Sequence, residues 1–183
     1  MAQILAARPY TEPTEDPNAI MAGLKDELKK RKAASGNKFE GEGKVVSYIG
    51  ILGNRIRNVD LERFDHHEWS GLPMETYPKV IPSGVNVYVQ HQGTLHQGVK
   101  GGFAFIDASA RMWLVAFDYQ KNKVYVEAGS SKPINWEDVR GKLDAAPSNI
   151  ADHKDPIRGA WVSAMISDSS LLAFFLVDPS IGN

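Results

Sequence analysis

The 183-residue sequence predicts a mainly β fold: an antiparallel β-sandwich with an N-terminal helix and one short additional helix. Three observations predict it. From residue 43 onward, apolar and β-branched segments of strand length recur at short spacing, roughly eight of them, with turn residues between. Val85, Val87 and Val89 alternate with Asn86, Tyr88 and Gln90, the period of a half-buried strand. No sustained strand–helix alternation appears, which argues against a parallel nucleotide-type sheet.

Taken in order, residues 1–16 carry Pro9 and Pro13 among Thr, Glu and Asp and read as a flexible arm. A helix occupies 17–36. Asp16 is a good N-cap, Pro17 suits the first turn, and Ile20, Met21, Leu24 and Leu28 share one face. Lys29 to Lys32 sit where cations favour the helix dipole, and Ser35-Gly36 stops the helix. The sandwich occupies 43–183. Lys44 to Leu52 is a β-branched strand, and Arg55 to Phe64 reads as a half-exposed strand with a bulge. After the Pro82-Ser83-Gly84 turn come the alternating valines, then Gly101–Ile106, Met112–Tyr119 and Lys123–Glu127. Asn135 caps a short helix containing Trp136, Val139 and Leu143. Ala160–Ile166 and Leu171–Val177 close the chain around a Ser167–Ser170 turn.

Composition excludes several chemistries. With no cysteine, disulfides, thiolate catalysis and zinc–thiolate sites are impossible. A formal net charge of −1 gives no bulk attraction to nucleic acid. The Ile4–Ala7 run is too short for a signal-peptide core, and no segment approaches the ~20 apolar residues of a membrane span; the expectation is a cytoplasmic protein. No GxSxG elbow or phosphate-binding glycine loop is present; Gly98-Val99-Lys100-Gly101-Gly102 precedes a strand and reads as a hairpin entry. Glu127, Glu137, Asp107 and Asp118 stand at strand ends and helix starts, where acids are ordinary, and no cofactor is implied.

Two side-chain groups remain. His66, His91 and His96, aided by Asp65 or Glu68, would form a metal site if they met; adjacent strand residues point to opposite faces, so His66 and His67 cannot both face one ion without a bulge. Aromatic rings are more informative, because rigid amphipathic rings serve sugar and headgroup recognition. Trp113 and Trp161, inside apolar strands, are expected in the core. Trp69, Tyr77 and Tyr119, beside Gly, Pro or Asp, are expected at an exposed pocket.

The order EWSGLP, YPKVIPSG, GTLHQGVKGGFAFI, RMWLVAFDYQKNKVYVEA and INWEDVRGKL resembles the small jasmonate-induced proteins of plants, over about residues 44–146. Trp69-Ser70-Gly71 and Lys123-Val124-Tyr125 with Glu127 are its most specific parts. A more distant likeness is to the actinoporin-like β-sandwiches, which place a helix ahead of the sandwich and close on a turn-linked strand pair, here WVSAMISDSSLLAFFLV. That group includes membrane-binding toxins and carbohydrate-binding lectins. The segment AFDYQKNKVY departs from the toxins, being short and holding only Tyr119 before Tyr125.

These resemblances imply a stress- or defence-associated protein without catalytic activity. Its expected partner is a glycan or lipid headgroup held by Trp69, Tyr77, Tyr119 and Tyr125, with peripheral membrane contact and no nucleic acid; oligomeric state is not specified. Two alternatives stand beside it: a histidine-centred metal protein or enzyme, and a membrane-active protein using the N-terminal helix. The charges of DELKKRK favour a helix packed on the sheet edge over one that detaches.

Overall fold

The computed structural model describes residues 16–35, 45–178, 180 and 181. Residues 1–15 of the expected arm lie outside that range. Among the described residues, eleven strands form two face-to-face sheets with a helix on each outer surface. Sheet A has six strands: β1 (Val45–Asn54), β3 (Leu72–Pro73), β5 (Asn86–Thr94), β9 (Ile150–Lys154), β10 (Ala160–Ser167) and β11 (Ser170–Val177), in the order β3-β5-β1-β11-β10-β9. Sheet B has five: β2 (Leu61–Ser70), β4 (Val80–Ile81), β6 (Lys100–Ile106), β7 (Arg111–Asp118) and β8 (Lys123–Ser130), in the order β4-β2-β6-β7-β8. The sandwich expected from the sequence is present. Its one parallel pair is β1 with β11, segments that no hairpin joins.

Alternation along each strand sends one set of side chains inward. Leu52, Leu61, Phe103, Phe105, Trp113, Phe117, Val162 and Phe175 fill the space between the sheets. The strand expected over Arg55–Phe64 begins at Leu61 instead. Asn54 explains the delay: its amide donates to the carbonyls of Val59 and Ile81 and its Oδ1 accepts from Ile56 N–H, holding 55–60 as a loop in which Asn58 takes φ 55°. The expected bulge is real, at Arg63/Asp65, and a second register shift falls at Glu68/Ser70. The edge strand β9 was not expected, because IADHK has no apolar alternation.

Helix α1 (Pro17–Ser35) is capped by Asp16, whose Oδ1 accepts from Asn18 N–H at 3.0 Å. It lies across the outer face of sheet A rather than on an edge. Ile20, Leu24 and Leu28 are buried against Ile49, Ile51, Met165, Leu172 and Phe174, worth about 2 kcal/mol per side chain. Glu27 accepts from Asn86 Nδ2 and from the Tyr88 hydroxyl, and the Arg31 guanidinium stacks 3.8 Å over the Tyr88 ring. Burial and Glu27 push the Tyr88 phenol up to about 12. No described helix is long and apolar enough to cross a membrane.

Candidate functional site

The outer face of sheet B carries a cluster of aromatic rings. Successive residues of β2 alternate, so Asp65, His67 and Trp69 face outward while His66 turns inward toward Tyr77, with ring centres 5.4 Å apart. Opposite His67 stands Gly102. A Cβ there would come within 2.8 Å of the Trp136 ring and 3.1 Å of the Val115 carbonyl, so only bare backbone lets Trp136 lie against the sheet. Trp136 opens helix α2 (Trp136–Ala145), capped as expected by Asn135, whose side chain accepts from the Glu137 and Asp138 N–H groups. Val139 and Leu143 anchor α2 on Ala104, Met112, Leu114 and Ala116. Trp136 Nε1 donates to Asp65 Oδ2 at 3.0 Å, which fixes the ring's orientation.

His67 lies between the two indoles: edge-on to Trp69 at 5.3 Å and stacked with Trp136 at 5.8 Å, with the indoles 6.0 Å apart. All three remain partly exposed. Lys100 Nζ stands 5.6 Å over Trp69 and pairs with Asp144 at 2.6 Å, holding that carboxyl below its usual range. Trp69 Nε1 has no hydrogen-bond partner among the described residues. Along the row His67–Gly102–Ala116–Tyr125, Tyr125 stands three strands from His67, about 14 Å at ordinary strand spacing. Its hydroxyl donates to Glu127 at 3.0 Å, and Lys142 approaches its ring at 5.7 Å. Burial opposes ionisation of Glu127, yet hydrogen bonds from Lys132 and Tyr125 hold its carboxyl below the usual range.

Two expected pocket residues are elsewhere. Tyr77 and Tyr119 are 1% and 5% exposed and belong to the core between the sheets. Both flank His91, itself 1% exposed: the Tyr77 hydroxyl is hydrogen-bonded to Nε2 at 2.8 Å, and the Tyr119 hydroxyl lies 3.4 Å from Nδ1. Burial pushes His91 down to about 3, so it is neutral, and it raises both phenols. The metal alternative is not assembled either. His91 is enclosed by tyrosines, His66 lies beside Tyr77, and His96 is exposed in the β5–β6 turn. Among the described residues, no three His, Asp or Glu side chains converge as a metal site requires.

Trp113 is core, but Trp161 is not: it is half-exposed on the outer face of sheet A, with Nε1 donating to Asp152. Asp107 pairs with Arg111 and holds a turn, and Asp118 accepts from Lys121 N–H, so both acids have structural roles. His67, Lys100 and Trp136 were not singled out from the sequence as site residues. The parity of His67 with Trp69, and an indole directly after a capping Asn135, are the signals that place them.

No family model matches the sequence, and no curated protein matches it, so neither comparison supports a jasmonate-induced family. Among solved structures, the lipid-binding protein Nakanori superimposes with a TM-score of 0.63 at 12% identity, covering 85% of this chain and 78% of Nakanori. This chain shares the fold of Nakanori. A looser likeness, TM-score 0.48 at 13% identity, is to a lectin of Xerocomus chrysenteron, covering 73% of this chain and 100% of the lectin. At 12% identity the likeness to Nakanori speaks to the fold, and not to a ligand.

Proposed function

We propose that this protein is a non-catalytic recognition module that binds a glycan or lipid headgroup on the outer face of sheet B, at Trp69, His67 and Trp136 with Tyr125 at the far margin. The carrying observation is that three partly exposed rings are held by a dedicated scaffold of bare Gly102, the Asp65–Trp136 hydrogen bond and a capped helix. Side chains that merely completed a core would need no open face. Indole faces suit the apolar face of a sugar ring or a headgroup cation, and Asp65, Glu127 and Lys100 supply polar groups around them. That Nakanori is a lipid-binding protein supports the lipid half of the reading. Tyr77 and Tyr119 then act behind the site, as part of the core on which sheet B rests. The stress- or defence-associated role implied by the sequence resemblance, and the cytoplasmic location expected from the sequence, belong to the same proposal.

Tryptophan fluorescence during titration with soluble glycans and small vesicles tests it. A saturable change with one ligand class, lost in a folded Trp69→Ala variant, is expected. A variant that binds as the wild type does would remove the site.

A further inference from the structure

On the opposite side of the molecule, α1 meets the β10–β11 turn in a groove of about 220 Å³ lined by Lys25, Leu28, Lys29, Lys32, Ser167 and Asp168. The three lysines follow helical spacing i, i+4, i+7, so they share one face. Leu28 beneath them is 3% exposed and forms an apolar floor. Lys25 and Lys32 are half-buried, as long stems lying along apolar surface with their ammonium heads at its margin would be. The groove's far wall is the tight β10–β11 turn: Asp168 and Ser169 both take positive φ, 48° and 56°, and Lys32 Nζ donates to the Asp168 carbonyl at 2.5 Å.

Charge is concentrated there although the chain as a whole carries −1. Among the described residues, Lys25 and Lys29 have no ion-pair partner, and Asp168 is the one carboxylate on the lining. The nearest helix acid on the sheet side, Glu27, is committed to Asn86 and Tyr88. The groove therefore presents three ammonium groups against one carboxylate, with the Ser167 hydroxyl beside them. The helix dipole disfavours an anion at a C-terminus, but its effect fades beyond the last turn, and Lys25 and Lys29 lie further back along the helix flank.

We propose that this groove binds a phosphomonoester-rich group, one dense enough in charge to engage several ammonium groups together. Such a group occurs in a phosphorylated lipid headgroup and in a soluble polyphosphate. The site is separate from the aromatic face, being on the other sheet, though both lie toward the same end of the sandwich: β5 ends there, β6 begins there, and the β10–β11 turn and the end of β2 share it.

The test titrates the full chain with inositol hexakisphosphate in solution, and with phosphatidylcholine vesicles alone, with phosphatidylinositol bisphosphate, or with phosphatidylserine at matched charge. Saturable binding to the bisphosphate vesicles or to the hexakisphosphate is expected. Vesicle-only binding identifies a bilayer headgroup as the source, and mutual competition identifies the phosphomonoester itself. Lys25→Gln with Lys29→Gln should weaken binding about 25-fold, near fivefold per lysine, while Lys25→Arg with Lys29→Arg keeps it. Neither pair touches the core, so both variants should melt with the wild type. Failure of both phosphomonoester probes to bind, equal binding to phosphatidylserine vesicles, or an unaltered Gln variant would each overturn the proposal.

Discussion

His91 sits between two tyrosine hydroxyls with almost no contact with water, and its ordinary pKa of 6.5 falls to about 3 because burial disfavours the cation. The consequence for stability has a definite sign. Above the ordinary value, folded and unfolded chains both hold neutral His91, and it contributes no pH dependence. As pH falls below 6.5 toward 3, the unfolded chain takes up a proton that the folded one refuses. Stability should drop by about 1.4 kcal/mol per pH unit. Carboxylates held low, such as Glu127 and Asp144, add their losses only as pH falls through about 4 and below. Urea midpoints measured from neutral pH down to about 5 should therefore show a slope that His91→Gln removes; the same slope in the variant would contradict the assignment. Gly102 makes a second residue-scale prediction. Gly102→Ala forces a Cβ onto the Trp136 ring and the Val115 carbonyl and should cost about 1–3 kcal/mol, read by chemical denaturation. Tyr119 was open to a better reading, since Trp113, Val115, Phe117 and Tyr119 continue one inward parity beyond the end of β7. Its neighbouring Asp and turn suggested exposure instead. Tyr77 had no such signal: it lies in the segment between β3 and β4, where no period applies.

At the scale of elements, sequence was most legible where caps and periodicity agree. Asp16 and Asn135 cap the two helices, and β6, β7, β8, β10 and β11 fall close to the expected segments. It was least legible where a strand owes its place to a neighbour. The edge strand β9 is polar and pairs only with β10, and β3 and β4 are two residues each. Strand β10 misled about Trp161 because α1 covers Met165 on the same outer face, erasing the polar alternation that marks an exposed side. The helix itself is fixed to sheet A by three buried side chains and by Glu27 and Arg31. Leu24→Ala should cost about 2–5 kcal/mol in denaturant unfolding. A cost near zero would mean that the helix is not held where the buried face of Leu24 puts it.

For the whole molecule, both outer faces of the sandwich are partly covered by a helix, and each helix borders a different proposed site. On sheet A that site is the lysine groove; on sheet B it is the aromatic face. The sandwich itself was readable from strand spacing, but the parallel pairing of β1 with β11 was not. It joins segments more than a hundred positions apart, through Ile49 with Ser170 to Asn54 with Phe175, and only tertiary packing selects it. The central claim is recognition at Trp69, His67 and Trp136. It is tested most directly by titrating wild type and Trp69→Ala, side by side, with the glycan and vesicle panel while following tryptophan fluorescence, with circular dichroism confirming the fold of the variant. The account predicts saturable binding by the wild type and at least about a tenfold loss in the variant, as expected when a single aromatic anchor is truncated. Equal binding by both proteins, or no binding by the wild type to any member of the panel, would contradict it.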